Sequence, residues 1–177
     1  YYTYNLNGTG VDVVIQDSGL EIYHPDFNDT NGTSRVQNID WYTASGVSGT
    51  QSGNHNRDLD GHGTHVAGIM AGRTCGWAGD AQIYSFTTNL SGYTHGYNIS
   101  DMGYITTWHN AKTNNKPTVV NMSWGLSTYY PPNHPSYFHS TASWDPSVDK
   151  TYHMTRSQTY DTIIKNMNNA GIVVVCS

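Results

Sequence analysis

Short apolar runs separated by longer amphipathic segments are the feature of this chain that most narrows its fold. The runs are 11–16, Ala81–Phe86, Thr118–Ser123 and Ile172–Cys176. Most are continuously apolar, which is how a strand reads when both faces of its sheet are covered. Between them lie segments of helical character. Residues 63–72 read as a helix of small residues, whose glycines lower helix propensity and so imply close packing against a sheet. Residues 100–114 carry Met102, Ile105, Trp108 and Ala111 at spacings of three, with Pro117 as terminator. Residues 159–168 carry Ile163, Ile164 and Met167. The alternation predicts an α/β domain with a parallel sheet and helices on both faces. Sites in such sheets form at the carboxyl ends of strands. Asp17 follows the first strand, and Asn121-Met122-Ser123-Trp124-Gly125 ends the third.

The 177 residues suit one domain. Residues 28–60 read as loop. Residues 127–158, with Tyr129-Tyr130-Pro131-Pro132 and His134, His139 and His153, show no clear period and read as a long surface insertion. No apolar run nears the ~20 residues of a membrane helix. The net charge is −5 and no Lys/Arg cluster exists, which argues against a nucleic-acid partner. Only 12% of residues are charged, against about 25% in ordinary soluble domains. A surface that is polar without charge suggests an extracellular or virion-associated protein. Cys75 and Cys176 set no disulfide framework and are expected as buried free thiols.

The chemistry concentrates in Asp60-Gly61-His62-Gly63-Thr64-His65-Val66-Ala67-Gly68. A histidine between two glycines opens a helix, and the glycines let its backbone crowd against neighbours. Upstream, Asp17 ends an apolar strand. A carboxylate on one imidazole nitrogen fixes the tautomer and stabilises the imidazolium, while the other nitrogen takes a proton from a hydroxyl nucleophile. Asp…His…Ser is one of the orders in which that triad occurs. A competing reading joins His62, His65 and Asp60 around zinc. Helical zinc sites usually space their histidines i, i+4, and no fourth ligand is evident, so no metal site is predicted. His65 is then expected as a packed, hydrogen-bonded helix residue.

Several blocks resemble the subtilisin-like serine proteases, the subtilases. Val13-Val14-Ile15-Gln16-Asp17-Ser18-Gly19 is similar to their Asp motif, and Tyr23-His24-Pro25-Asp26-Phe27 to the turn after it. Gly61-His62-Gly63-Thr64-His65-Val66-Ala67-Gly68 matches their His motif. Gly76–Ala81, Val120–Gly125 and Ala170–Ser177 resemble the next turn and strand, the wall of the primary specificity pocket, and the strand leading to the oxyanion asparagine. The likeness runs from about residue 8 to the last residue. It implies a subtilisin-like three-layer fold, of which this chain is the N-terminal portion of one peptidase domain.

By that resemblance Asp17 orients His62, and His62 is the general base of a serine endopeptidase acting on polypeptides. Ser123, Trp124 and Gly125 would pair with the substrate and line its pocket, with Trp124 in the lining. Gly96 and Tyr97 would lie on a second substrate-pairing strand. The oxyanion asparagine and the serine nucleophile would both follow Ser177. A second chain or a C-terminal segment is therefore expected to complete the domain. The alternative is a non-catalytic structural or binding module derived from the family. No cofactor is predicted. Calcium occurs in the family, but the short link Gly72-Arg73-Thr74-Cys75 leaves no room for the usual calcium loop, and no site is readable.

Overall fold

The computed structural model describes residues 6–51, 53–88, 95–124, 127–129, 152–154 and 157–176. In chain order the elements are β1 (Asp12–Asp17), a one-turn 3-10 helix (Pro25–Phe27), β2 (Val36–Gln37), α1 (Trp41–Ser45), α2 (His62–Ala71) and β3 (Gln82–Thr87). They continue with α3 (His95–Ala111), β4 (Thr118–Met122), β5 (Ser127–Tyr129), β6 (Tyr152–Met154), α4 (Gln158–Asn169) and β7 (Ile172–Cys176). Five strands form one parallel sheet in the order β2-β3-β1-β4-β7. Every residue of the central β1 is buried, the apolar Val13, Val14 and Ile15 together with the polar Asp12, Gln16 and Asp17.

Successive side chains of a strand point to opposite faces, so each strand feeds two cores. Val13 and Ile15 of β1 and Ile83 of β3 pack with Ala67 and Ala71 of α2 and with Leu20 and Phe27. Val14, Tyr84, Phe86, Val120 and Met122 point the other way. They meet Trp41 of α1, Met102, Ile105 and Trp108 of α3, and Tyr160 and Met167 of α4. This gives three layers: α2, the sheet, and α1 with α3 and α4. The Trp41 indole packs tilted against Phe86 at 4.7 Å and edge-on to Trp108 at 5.5 Å. Its Nε1–H donates to the Ser85 carbonyl at 2.7 Å, so a large apolar group is buried with its polar atom satisfied.

The same topology positions the site. β1 and β3 are neighbours with Asp17 opposite Thr87. The chain leaving β1 passes through β2 and α1 before it returns to β3 by way of α2 on one face, and α3, which follows β3, lies on the other. Where outgoing connections diverge in this way, a crevice opens at the carboxyl ends of the strands. The opposite end is closed by a buried polar cluster. Lys112 Nζ donates to Asp12 Oδ2 and to Thr118 Oγ1, each at 2.7 Å. His109 links Thr118 Oγ1 to the Ala170 carbonyl, tying α3 to the end of α4.

Several expectations need correction. α3 begins at His95, ahead of the expected Ser100, because no proline interrupts it and an internal glycine costs only about 1 kcal/mol. It stops at Ala111, well before Pro117. The chain turns instead at Asn115, whose φ is 53°. The 28–60 region holds β2 and α1. Asp40 Oδ1 caps α1 by accepting from Thr43 N at 2.8 Å, and Gly46, with φ 69°, closes it. Both cysteines are exposed. Cys75 sits in the turn after α2, and Cys176 lies on β7 at the sheet edge. Of the 127–158 segment, β5 and β6 pair antiparallel, Ser157 precedes α4, residue 158 opens it, and the rest lies outside the described residues.

Candidate active site

β1 delivers Asp17 to the crevice with its side chain fully buried. The Asp17 carbonyl accepts from Thr88 N at 2.7 Å and Thr88 Oγ1 at 3.0 Å, which anchors it to the end of β3. The next residue donates its amide to Asp17 Oδ1 at 2.7 Å. His62 is the first residue of α2. Gly63 explains how the helix comes so close to the strand. A Cβ added there would lie 2.1 Å from the Gly19 carbonyl oxygen and 3.1 Å from Asp17 Cβ. The first turn of α2 therefore rests on the exit turn of β1, with room for glycine alone.

This contact brings His62 Nδ1 to 2.7 Å from Asp17 Oδ1. An ionised carboxylate only accepts, so Nδ1 carries the proton and Nε2 holds the free lone pair of the neutral ring. The imidazole is 46% exposed, while Asp17 is 0% exposed. The hydrogen bond to Asp17 raises the His62 pKa above its ordinary value. Partial burial opposes the rise, and the charges of Asp17, Asp60 and Asp58 add to it. Among the described residues, Nε2 has no hydrogen-bond partner. The arrangement is an oriented base with one nitrogen open to a proton donor.

A cleft of about 750 Å³ is lined by Ser18 and Asp60, chain neighbours of the pair, and by Trp41, His55, Thr87 and Asp101 among others. Burial lowers the His55 pKa, and its Nε2 lies 3.1 Å from the Ser85 carbonyl. Burial pushes the Asp101 carboxyl up to about 7, against the opposing influence of Gln16 nearby. The Gln16 amide is itself buried without a partner in hydrogen-bonding geometry.

The sequence profile of the subtilase family matches residues 8–177. The chain belongs to the subtilase family. An extracellular serine proteinase from Thermus sp. (strain Rt41A) is 32% identical over 177 residues, covering 98% of this chain and 32% of that protein. A cuticle-degrading serine protease from Arthrobotrys oligospora is 34% identical over 133 residues, covering 71% of this chain and 29% of that one. The solved structure of the Clostridium perfringens CspB protease shares the fold with a TM-score of 0.62 at 23% identity, over 98% of this chain and 36% of that one. The subtilase chain thus spans about a third of the length of these relatives.

In this subtilase the Asp block forms β1 and its exit turn, and the His block forms α2. Ser123 follows β4 at the same end of the sheet as Asp17, and its Oγ accepts from Asn121 Nδ2 at 2.8 Å. Trp124, next along the chain, is held by tertiary contacts. Its ring packs against the α3/α4 core, edge-on to Tyr160 at 6.3 Å, and Nε1–H donates to the Gln16 carbonyl at 2.9 Å. That bond and that contact hold the indole between the end of β1 and α4. Gly96 and Tyr97 fall in the first turn of α3, so the extended strand expected there does not include them. Gly125 lies outside the described residues. His65 is exposed on α2 rather than packed.

Sequence reasoning missed Asp58. Gly61, the N-cap of α2, has φ 92° and no side chain to cap with. Asp58 supplies the missing acceptor from the preceding loop. A glycine at the N-cap with an acid three residues earlier was the available signal. Asp26 plays a related part at the other end of α2. Its Oδ1 accepts from Thr74 N at 3.0 Å and Thr74 Oγ1 at 2.8 Å, holding the short link after the helix.

Proposed function

We propose that this chain supplies the acid and the base of a serine endopeptidase. The observation that carries the proposal is the 2.7 Å bond between a buried Asp17 and a half-exposed His62. Nε2 of His62 takes the proton of a serine hydroxyl as that oxygen attacks the carbonyl carbon of a peptide. The resulting imidazolium is stabilised by Asp17, which stays ionised. The same Nε2–H then protonates the leaving amine, and the C–N bond breaks. In the second half, His62 deprotonates water, which releases the acyl group and restores the serine.

The serine and the oxyanion donors are proposed to come from polypeptide beyond the described residues, either a further segment or a second chain. The α2 face of the sheet supports that part of the reading. Val173 and Val175 of β7 are 55% and 48% exposed, in register with Val119 and Asn121 of β4. Beside them runs a largely apolar groove of about 430 Å³, with Val13, Val66, Met70 and Trp77 among its lining. A continuous apolar sheet face of this kind favours burial against more chain. Ser123 and Gly125 are proposed to border the substrate backbone. The Thermus relative is named an extracellular proteinase, and the same location is proposed for this chain.

A fluorophosphonate probe on the full-length protein tests the reading. Labelling of a serine that is lost in His62→Ala supports the endopeptidase. Absence of labelling with the complete polypeptide present refutes it and favours the non-catalytic module.

A further inference from the structure

The base of this site sits on a helix that cannot cap itself. The first N–H groups of a helix have no partner within it, and Gly61 offers no side-chain oxygen. Asp58 Oδ1 accepts from Gly61 N at 2.8 Å and from Asp60 N at 3.2 Å, and Oδ2 accepts from Thr64 N at 2.7 Å. Ser18 Oγ donates to Asp58 Oδ1 at 2.9 Å and accepts from Gly63 N at 2.9 Å. Ser18 also donates its own amide to Asp17 Oδ1. The two carboxylates are therefore joined through one serine, and His62, which bonds Asp17, lies between the Gly61 and Thr64 amides that Asp58 holds.

We propose that Asp58 is a positioning residue for His62: its carboxylate locks the first turn of α2 onto the exit turn of β1 and so sets how the imidazole meets Asp17. It touches no reacting atom and acts through the helix. A negative charge suits that place, because the helix dipole and the free amides both favour an anion there. Burial would raise the Asp58 pKa, but the bonds from Thr64, Gly61 and Ser18 outweigh it and hold the carboxyl below its ordinary value. Asp58 is thus ionised wherever His62 titrates. The acidic groups that face His62 are Asp17 from β1 and Asp58 and Asp60 from the loop before α2.

The inference rests on the endopeptidase reading for its kinetic effect, so the test pairs kinetics with a readout that needs no turnover. Asp58→Asn in the full-length protein keeps the size of the side chain and removes its charge. We expect kcat to fall about tenfold or more with KM within about twofold, since a displaced base slows chemistry more than binding. The His62 ring titration, followed by NMR, should move to lower pH than in the wild type. A purely structural role would lower Tm and leave both unchanged; wild-type kcat together with a wild-type His62 titration overturns the proposal. If Asp58→Asn does not fold, Ser18→Ala cuts the tie between Asp58 and Gly63, and an unchanged kcat and titration there overturns it equally. A wild type without peptidase activity, but with a His62 titration that shifts in Ser18→Ala, which keeps the Asp58 charge, would sink the endopeptidase reading and uphold the role of Asp58.

Discussion

Two glycine-to-alanine substitutions in α2 should have opposite signs, although helix propensity treats them alike. Alanine is favoured over glycine in a helix by about 1 kcal/mol. At Gly68 a Cβ meets nothing within 4 Å, so Gly68→Ala should stabilise by about 0.5–1 kcal/mol. At Gly63 the new Cβ would lie 2.1 Å from the Gly19 carbonyl oxygen, which is backbone and cannot swing aside. Ordinary carbon–oxygen contacts are about 3.3 Å or more, so the helix start must retreat about 1.2 Å. The 2.7 Å bond from His62 Nδ1 to Asp17 Oδ1 then opens to roughly 3.9 Å, beyond hydrogen-bonding range. Overpacking of about 1–3 kcal/mol and the lost bond outweigh the propensity gain. We expect a net loss of about 2 kcal/mol, read as a Tm drop of about 4–8 °C. Displacement of the base on this scale should lower kcat/KM about a hundredfold in the full-length protein. Calorimetry on both variants is the assay. A Gly63→Ala protein as stable and as active as Gly68→Ala would refute the argument that this contact sets the site.

Asp101 titrates near 7 in the fold and near its ordinary value of about 3.9 when unfolded. Below the unfolded value both states are protonated. As pH rises toward 7 the unfolded chain ionises first and the fold loses stability. Asp101→Asn should therefore match the wild type at pH 4 and exceed it by about 2–4 kcal/mol at pH 8; equal denaturation midpoints at both pH values would contradict the burial argument. Arg35 donates to the carbonyls of Asn28, Ala81, Asp26 and Ala71, stitching the 3-10 turn, α2 and the start of β3 together. Arg35→Met strands the buried Ala81 and Ala71 carbonyls and should destabilise by about 3 kcal/mol; chemical denaturation showing under about 1 kcal/mol would mean the acceptors find other partners.

The sheet was readable because β1, β3, β4 and β7 are apolar runs between residues that break strands. Asp17 and His62 were readable because a strand end and a glycine-flanked helix start announce themselves locally. What escaped depends on contacts far apart in sequence. The bonds of Asp58 to Gly61 and Thr64 had a local signal, but its bond to Ser18, across 40 positions, had none. α1 spans five residues, too few for a helical period to emerge. The setting of Trp124 is likewise decided by distant partners, Tyr160 and the Gln16 carbonyl. Gly96 and Tyr97 were misread because a likeness placed them on a strand while nothing in their own residues stops α3 from starting at His95.

The central claim is that Asp17 makes His62 the base for a serine hydroxyl. The most direct test is the rate of fluorophosphonate labelling of the full-length protein against pH, in the wild type and in Asp17→Asn. His62 must be neutral to act, and Asp17 raises its pKa from 6.5. The account predicts a wild-type rate that climbs with a midpoint above that value. It predicts an Asp17→Asn rate lower by about four orders of magnitude at neutral pH, the size of effect seen when the orienting carboxylate of such a triad is neutralised. An Asp17→Asn protein that labels as fast as the wild type, with the same midpoint, would contradict it.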